Sequence, residues 1–261
     1  VTSTVLFFVA FVGGALNAVA GGGSFLTLPA LLYAGVPAVT ANATSTFAMW
    51  PASVASALAY REEISRARQW MMRLGAISLV GGLAGGLLLV RTSDESFMRL
   101  LPWLMLLAAS TFTFGARVTA WARARRSGAG TAAAVHVPGR IDAVRVPLWT
   151  LPLQLIIATY GGYFGGGMGI MMLAGMAVAG MTDMHEMNAL KVVLAIAING
   201  VALAAFVATG AITWHLGVVM ALGGIAGGYA GAAVARRAQG PSVRAIVIIV
   251  AWTMTAYFFV R

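Results

Sequence analysis

Six stretches of this 261-residue chain are predominantly apolar, nearly free of charge and long enough to be helices that cross a bilayer: 41–60, 74–90, 97–116, 188–208, 214–234 and 244–260. A helix rises about 1.5 Å per residue, so roughly 20 residues span the ~30 Å hydrocarbon layer. No soluble domain buries so many such segments. Composition agrees, with 60% hydrophobic and 9% charged residues where a soluble domain carries about 25% charged. Soluble enzymes, nucleic-acid-binding modules and disordered tails are therefore set aside. The chain has no cysteine, which removes disulfides, thiolate metal sites and thiol nucleophiles together. The expected fold class is an all-α polytopic membrane protein.

Two further regions have a different shape. Residues 2–20 and 147–164 are apolar and long, but each runs into a glycine cluster, Gly21-Gly22-Gly23 and Gly165-Gly166-Gly167. Apolar segments of only about a dozen residues follow, 24–34 and 169–180, too short to cross untilted. Each region reads as a broken, re-entrant hairpin. Ala18-Val19-Ala20 resembles a signal-peptide cleavage site, but residues 1–20 contain no Lys or Arg, and the same pattern recurs mid-chain. The segment is read as part of the fold.

The 17 basic and 7 acidic residues give a net charge of +10, and their placement carries more information than their sum. Arg61, Arg66, Arg68 and Arg73 form one group; Arg117, Arg123, Arg125, Arg126, Arg140 and Arg145 a second; Arg236, Arg237 and Arg244 a third. By the positive-inside rule these three loops are cytoplasmic. Both termini are then expected outside. The stretch 123–146 reads as a basic cytoplasmic linker, held in water or against anionic lipid head groups, between an N-terminal half, 1–122, and a C-terminal half, 147–261.

The halves resemble each other. Gly75-Ala-Ile-Ser-Leu-Val-Gly-Gly-Leu-Ala-Gly-Gly86 faces Gly217-Val-Val-Met-Ala-Leu-Gly-Gly-Ile-Ala-Gly-Gly228, with seven of twelve positions identical or an Ile/Leu exchange. Asn42-Ala43 and Asn188-Ala189 correspond at an offset of 146. Each half holds one hairpin and three full spans, an odd number of crossings, so the second copy is expected upside down. Inverted repeats of this kind build transporters. The paired glycines at 81/85, 82/86, 223/227 and 224/228 read as close-packing seams between helices.

Broken helices at membrane depth leave backbone groups that need a protein or water partner. The N-terminus of each short arm offers free N–H groups and the positive end of a helix dipole, an environment suited to an anion. Gly22, Gly23 and Ser24 in the first half and Gly167 and Gly169 in the second are candidates for that role; the plainer alternative is that the glycines only permit tight turns. The following helix carries Asn42, Ser45 and Ser53 in the first half and Asn188, Lys191 and Asn199 in the second, pairwise at the same offset. These residues either face a substrate path or serve as interhelical hydrogen-bond glue. Lys191 is the most telling, because a lysine well inside a spanning helix costs about 2.5–3.5 kcal/mol. It either snorkels to the interface, towards Asp183 or Glu186, or attracts an anion. Asp183, His185 and Glu186 read as a solvated loop or a proton relay.

No nucleotide-binding loop is present, three scattered histidines make no metal site, and no cofactor is called for. An anion channel or an importer remains open as an alternative to an exporter. An intramembrane hydrolase using Ser24 with His185 or His215 is a remote one.

Gly21-Gly22-Gly23-Ser24-Phe25-Leu26-Thr27-Leu28-Pro29-Ala30-Leu31-Leu32, then Ala41-Asn42-Ala43-Thr44-Ser45, with a weaker copy at 161–191, resemble the TauE/SafE sulfite exporter family over essentially the whole chain. The resemblance implies a bacterial inner-membrane permease for small sulfur-containing anions such as sulfite or an organosulfonate like sulfoacetate, with two related halves about a central path. In the second copy Lys191 stands where Ser45 stands in the first, and no proline matches Pro29. The expected partners are the anion and the lipid bilayer, without nucleic acid.

Overall fold

The computed structural model describes residues 2–20, 22–58, 68–128, 146–181, 183–235 and 240–260. Arg61, Arg66, linker residues 129–145, Arg236 and Arg237 lie outside them. Ten helices are described: α1 (Ser3–Ala20), α2 (Ser24–Tyr33), α3 (Ala38–Leu58), α4 (Arg68–Arg91), α5 (Asp94–Gly128), α6 (Thr150–Tyr163), α7 (Met168–Ala179), α8 (Met184–Ala208), α9 (Trp214–Ala235) and α10 (Gly240–Val260). Within the described residues, all six long apolar stretches are helical, and so are the arms of both broken hairpins. The chain is a multi-pass membrane protein.

Stretches within α4, α5 and α8 are each long and apolar enough to cross a membrane on those grounds alone: Trp70–Arg91, Asp94–Ala122 and Met184–Ala208. Helices α3, α9 and α10 have comparable length, at 21, 22 and 21 residues, but Asn, Ser and Thr dilute α3 and glycine dilutes α9. One boundary shifts from expectation. Helix α5 does not stop near 116 or at the start of the linker but continues through Gly128, because Ala and Arg, which alternate there, are both strong helix formers.

Glycine sets which helices pack. Helix α4 lies against α6 and α8, and helix α9 against α1 and α3. At Gly85 an added Cβ would strike the Thr159 carbonyl of α6, and at Gly227 the Phe11 carbonyl of α1. Gly82 and Gly162 meet backbone to backbone, as do Gly224 and Gly14. With no side chain between them the helices gain dispersion contacts that lipid does not offer. At the centre α3 crosses α8, where the Trp50 indole donates to the Ile196 carbonyl at 3.1 Å. Helix α5 pairs with α10, with Trp252 donating to Thr113 Oγ1 at 3.0 Å and Trp103 stacking edge-on with Phe259.

The start of α3, the α4–α5 turn and the α8–α9 turn meet at one end of the bundle. They line a polar cleft of about 450 Å³ with Thr40, Thr92, Ser93, Asp94 and Thr209. There Asp94 Oδ1 accepts the Val39 N–H at 2.8 Å and so satisfies a first-turn donor of α3.

Candidate functional site

The second hairpin breaks where glycine permits it. Gly165 and Gly167 adopt φ of +84° and +78°, a left-handed backbone that a residue with a Cβ adopts only at a cost. Helix α6 therefore ends at Tyr163 and α7 starts afresh at Met168. The freed groups are partly satisfied by neighbours. Tyr160 Oη donates to the Gly166 carbonyl at 2.6 Å, and Asn42, reaching from the other half of the chain, donates from Nδ2 to the buried Tyr163 carbonyl at 2.9 Å. The N–H groups of Gly166, Gly167 and Gly169 have no backbone acceptor among the described residues.

The stem of Lys191 packs against Gly169. A Cβ there would sit 3.2 Å from Lys191 Cδ, which places Lys191 against the first turn of α7. The ammonium donates to Asn188 Oδ1 at 3.1 Å, while Asn188 Nδ2 is engaged with the Met184 carbonyl at 2.9 Å. Lys191 is thus half-buried, about 10 Å along α8 by helical rise, and held by a neutral partner rather than a carboxylate. Asp183 is occupied elsewhere. It caps α8, accepting the N–H groups of His185 at 2.7 Å and Glu186 at 3.2 Å, and that capping role accounts for a carboxylate at the start of the helix.

The first half repeats the arrangement with different chemistry. Ser45, the position corresponding to Lys191, also lies against the first turn of its short arm, bonded at 2.6 Å to Thr27, whose hydroxyl in turn approaches the Gly23 carbonyl at 3.3 Å. Both side chains are fully buried. Gly22 and Gly23 are buried and Ser24 half-buried at the start of α2. A Cβ on Gly22 would lie 3.5 Å from Phe112, and one on Gly167 3.2 Å from Ala108, so the two breaks lean on α5 one helical turn apart.

The structure thus brings Gly167, Gly169, Asn188 and Lys191 together, and separately Gly22, Gly23, Ser24 and Ser45, while Asn42 joins the halves by holding the second break. Asn199 is half-buried and makes no hydrogen bond to the other candidates among the described residues. Ser53, its counterpart, bonds to the Met49 carbonyl at 3.3 Å. No hydrogen bond joins Ser24 to His185 or His215, and no group of three His, Asp or Glu suits a metal, among the described residues. Sequence reasoning passed over Thr27 and Tyr160. Thr27 lies four residues after Gly23 and Tyr160 six before Gly166; a break in lipid needs donors for its carbonyls, and the nearest alcohols are where to look for them.

Three curated relatives cover nearly the whole chain. A Haemophilus influenzae protein described as a probable membrane transporter protein is 31% identical over 255 residues, 97% of this chain and 92% of the relative. Probable membrane transporter protein ORF9 of a Sinorhizobium species is 26% identical over 94% of this chain and 87% of its own length, and probable membrane transporter protein YfcA of Escherichia coli is 26% identical over 97% and 87%. No solved structure matches. The family described as sulfite exporter TauE/SafE matches residues 6–258; with two glycine-broken hairpins packed inside a bundle of apolar helices, the chain belongs to the TauE/SafE family of membrane transporters.

Proposed function

We propose that this protein exports small sulfur-containing oxyanions, sulfite or an organosulfonate such as sulfoacetate, across the bacterial inner membrane, holding the anion between the N-termini of α2 and α7. The observation that carries this reading is Lys191 against the first turn of α7. A lysine whose stem packs on the first turn of α7, near the positive end of that helix dipole and N–H groups without a backbone acceptor among the described residues, is electrostatically unfavourable in a low-dielectric setting unless an anion is near. A sulfonyl or sulfite group offers three oxygens to such donors. Lys191 supplies the charge, Gly167 and Gly169 the amides, and Asn188 positions the ammonium; Gly22, Gly23, Ser24 and Ser45 contribute the opposite wall, with Asn42 and Asn199 flanking.

The proposal includes an inverted repeat of residues 1–122 and 147–261 about an axis between α3 and α8. Three observations support it. Helix α4 packs on α6 as α9 packs on α1. The glycine contacts Gly82–Gly162 and Gly224–Gly14 are reciprocal. Trp50 bonds to Ile196, its own counterpart at the offset of 146, the contact that a two-fold axis between α3 and α8 would bring about. With the basic loops in the cytoplasm, the polar cleft around Asp94 opens outwards and both termini are outside. A negative interior drives each anionic charge outward by about 2.3 kcal/mol per 100 mV, so export needs no coupling ion.

The test is flux of sulfite and sulfoacetate in proteoliposomes with and without an imposed potential, for wild type, Lys191→Ala and Lys191→Arg. Saturable, potential-sensitive flux that falls at least tenfold in the alanine variant and is partly kept in the arginine variant is expected. Flux that is absent for both anions overturns the substrate, and flux that is unchanged in Lys191→Ala overturns the site.

A further inference from the structure

We propose that the cytoplasmic end of α5 carries a site for the head group of an anionic phospholipid, formed by Arg117, Trp121 and Arg125. The argument starts from the outer stripe of this helix. Leu100, Trp103, Leu107, Phe114 and Val118 are all exposed large apolar side chains, recurring every three, four or seven residues along one face of α5. In a membrane protein the occupant of such a face is lipid. From Leu100 to Val118 the stripe runs about 27 Å at helical rise, close to the thickness of the hydrocarbon layer.

The next positions on the same face change chemistry. Trp121 is 54% exposed, and the Arg125 guanidinium lies 4.5 Å over its ring. Trp121 falls about 4–5 Å beyond the apolar stripe, at head-group depth, where indole rings settle. Arg125 begins a turn further out, but its side chain folds back over the indole, bringing the charge down to the same level. Arg117, also exposed, lies one turn below Trp121 at the edge of the hydrocarbon layer, from which its long stem reaches the phosphate level. Neither arginine has a carboxylate partner among the described residues; the ion pair described on this helix is Arg99–Glu95, at its other end. Two unneutralised guanidiniums bracketing an indole, on a face already covered by acyl chains, match a phosphodiester at the top of those chains. This inference rests on α5 spanning the bilayer and is independent of which anion the protein transports.

The experiment is native mass spectrometry of the purified full chain titrated with phosphatidylglycerol, phosphatidylcholine or inorganic phosphate, with thermal unfolding in detergent to confirm that each variant is folded. Wild type is expected to retain phosphatidylglycerol in preference to phosphatidylcholine. Arg117→Gln and Arg125→Gln are each expected to lower that retention about fivefold, as befits about one basic residue's attraction to an anionic surface; Arg99→Gln should leave it unchanged. Equal retention of the two lipids by wild type overturns the proposal without recourse to any variant, as does full retention in a folded Arg117→Gln/Arg125→Gln double variant. Displacement of the lipid by millimolar inorganic phosphate would make the stripe a general anion patch and likewise overturn the lipid assignment.

Discussion

The same substitution made at two points of one helix should have different effects on stability. In α4, a Cβ added at Gly75 would meet nothing within 4 Å, whereas one added at Gly85 would strike the Thr159 carbonyl and lie 2.7 Å from the Tyr163 amide nitrogen. Alanine is the better helix former by up to about 1 kcal/mol, so Gly75→Ala should be neutral or stabilising by that amount. At Gly85 the obstacle is backbone, which has no rotamer to change. Ordinary contact begins at 3.4 Å, so clearing the Tyr163 nitrogen alone requires α4 and α6 to part by 3.4 − 2.7 = 0.7 Å, and clearing the nearer Thr159 carbonyl requires more. A gap of that size forfeits a quarter to a half of the dispersion well of each atom pair it opens, and overpacking of this kind costs about 1–3 kcal/mol. The expected separation between the two variants is therefore about 1–4 kcal/mol. Thermal unfolding in detergent, followed by size-exclusion chromatography, reads it directly. Because α6 ends at the second hairpin break, anion flux should fall in Gly85→Ala and persist in Gly75→Ala. Equal stability of the two variants would refute the argument that α4 and α6 are held by glycine-permitted backbone contact.

Other outcomes follow from single bonds. Asn42→Ala leaves the buried Tyr163 carbonyl unpaired and should lower stability by about 1–3 kcal/mol; an unfolding midpoint equal to wild type would mean that the bond of Asn42 to the second break contributes nothing. Trp50→Phe removes the indole donor to Ile196 across α3 and α8 and should cost about 1 kcal/mol in the same assay. A double-mutant cycle on Thr27→Val and Ser45→Ala should give a coupling of about 0.6 kcal/mol, the average for such bonds in a membrane; strictly additive losses would contradict the 2.6 Å contact. Gly167→Ala, at φ +78° and 3.2 Å from Ala108, should abolish flux in protein that still inserts, and wild-type flux would remove the α7 start from the path.

Much of the architecture was legible in the residues because lipid imposes rules that act locally. A helix of about 20 apolar residues is the simplest way to satisfy backbone groups without water, so the long helices follow from runs of Val, Leu, Ala and Ile that need no knowledge of neighbours. The two hairpin breaks were equally visible, since Gly21-Gly22-Gly23 and Gly165-Gly166-Gly167 are where a helix ends most cheaply. The extension of α5 through Gly128 escaped the span-by-span reading, which stops where apolar residues stop, although alternating Ala and Arg continue a helix well past the hydrocarbon edge.

What the tertiary structure decided is the partner of each polar group. Nothing local says that Asn42 reaches a carbonyl 121 residues away, that Thr27 claims Ser45, or that Lys191 leans on Gly169 while Asp183 caps its own helix. Such pairings depend on which helices come into contact, and that depends on glycines placed far apart in the chain, at 82 and 162 and at 14 and 224, meeting backbone to backbone. Sequence alone thus determined the helices, their breaks and the family, because those arise from the local cost of exposing backbone to lipid. The geometry around the breaks came only with the fold, because a hydrogen bond between helices is set by close packing over long sequence distances, which no local pattern encodes.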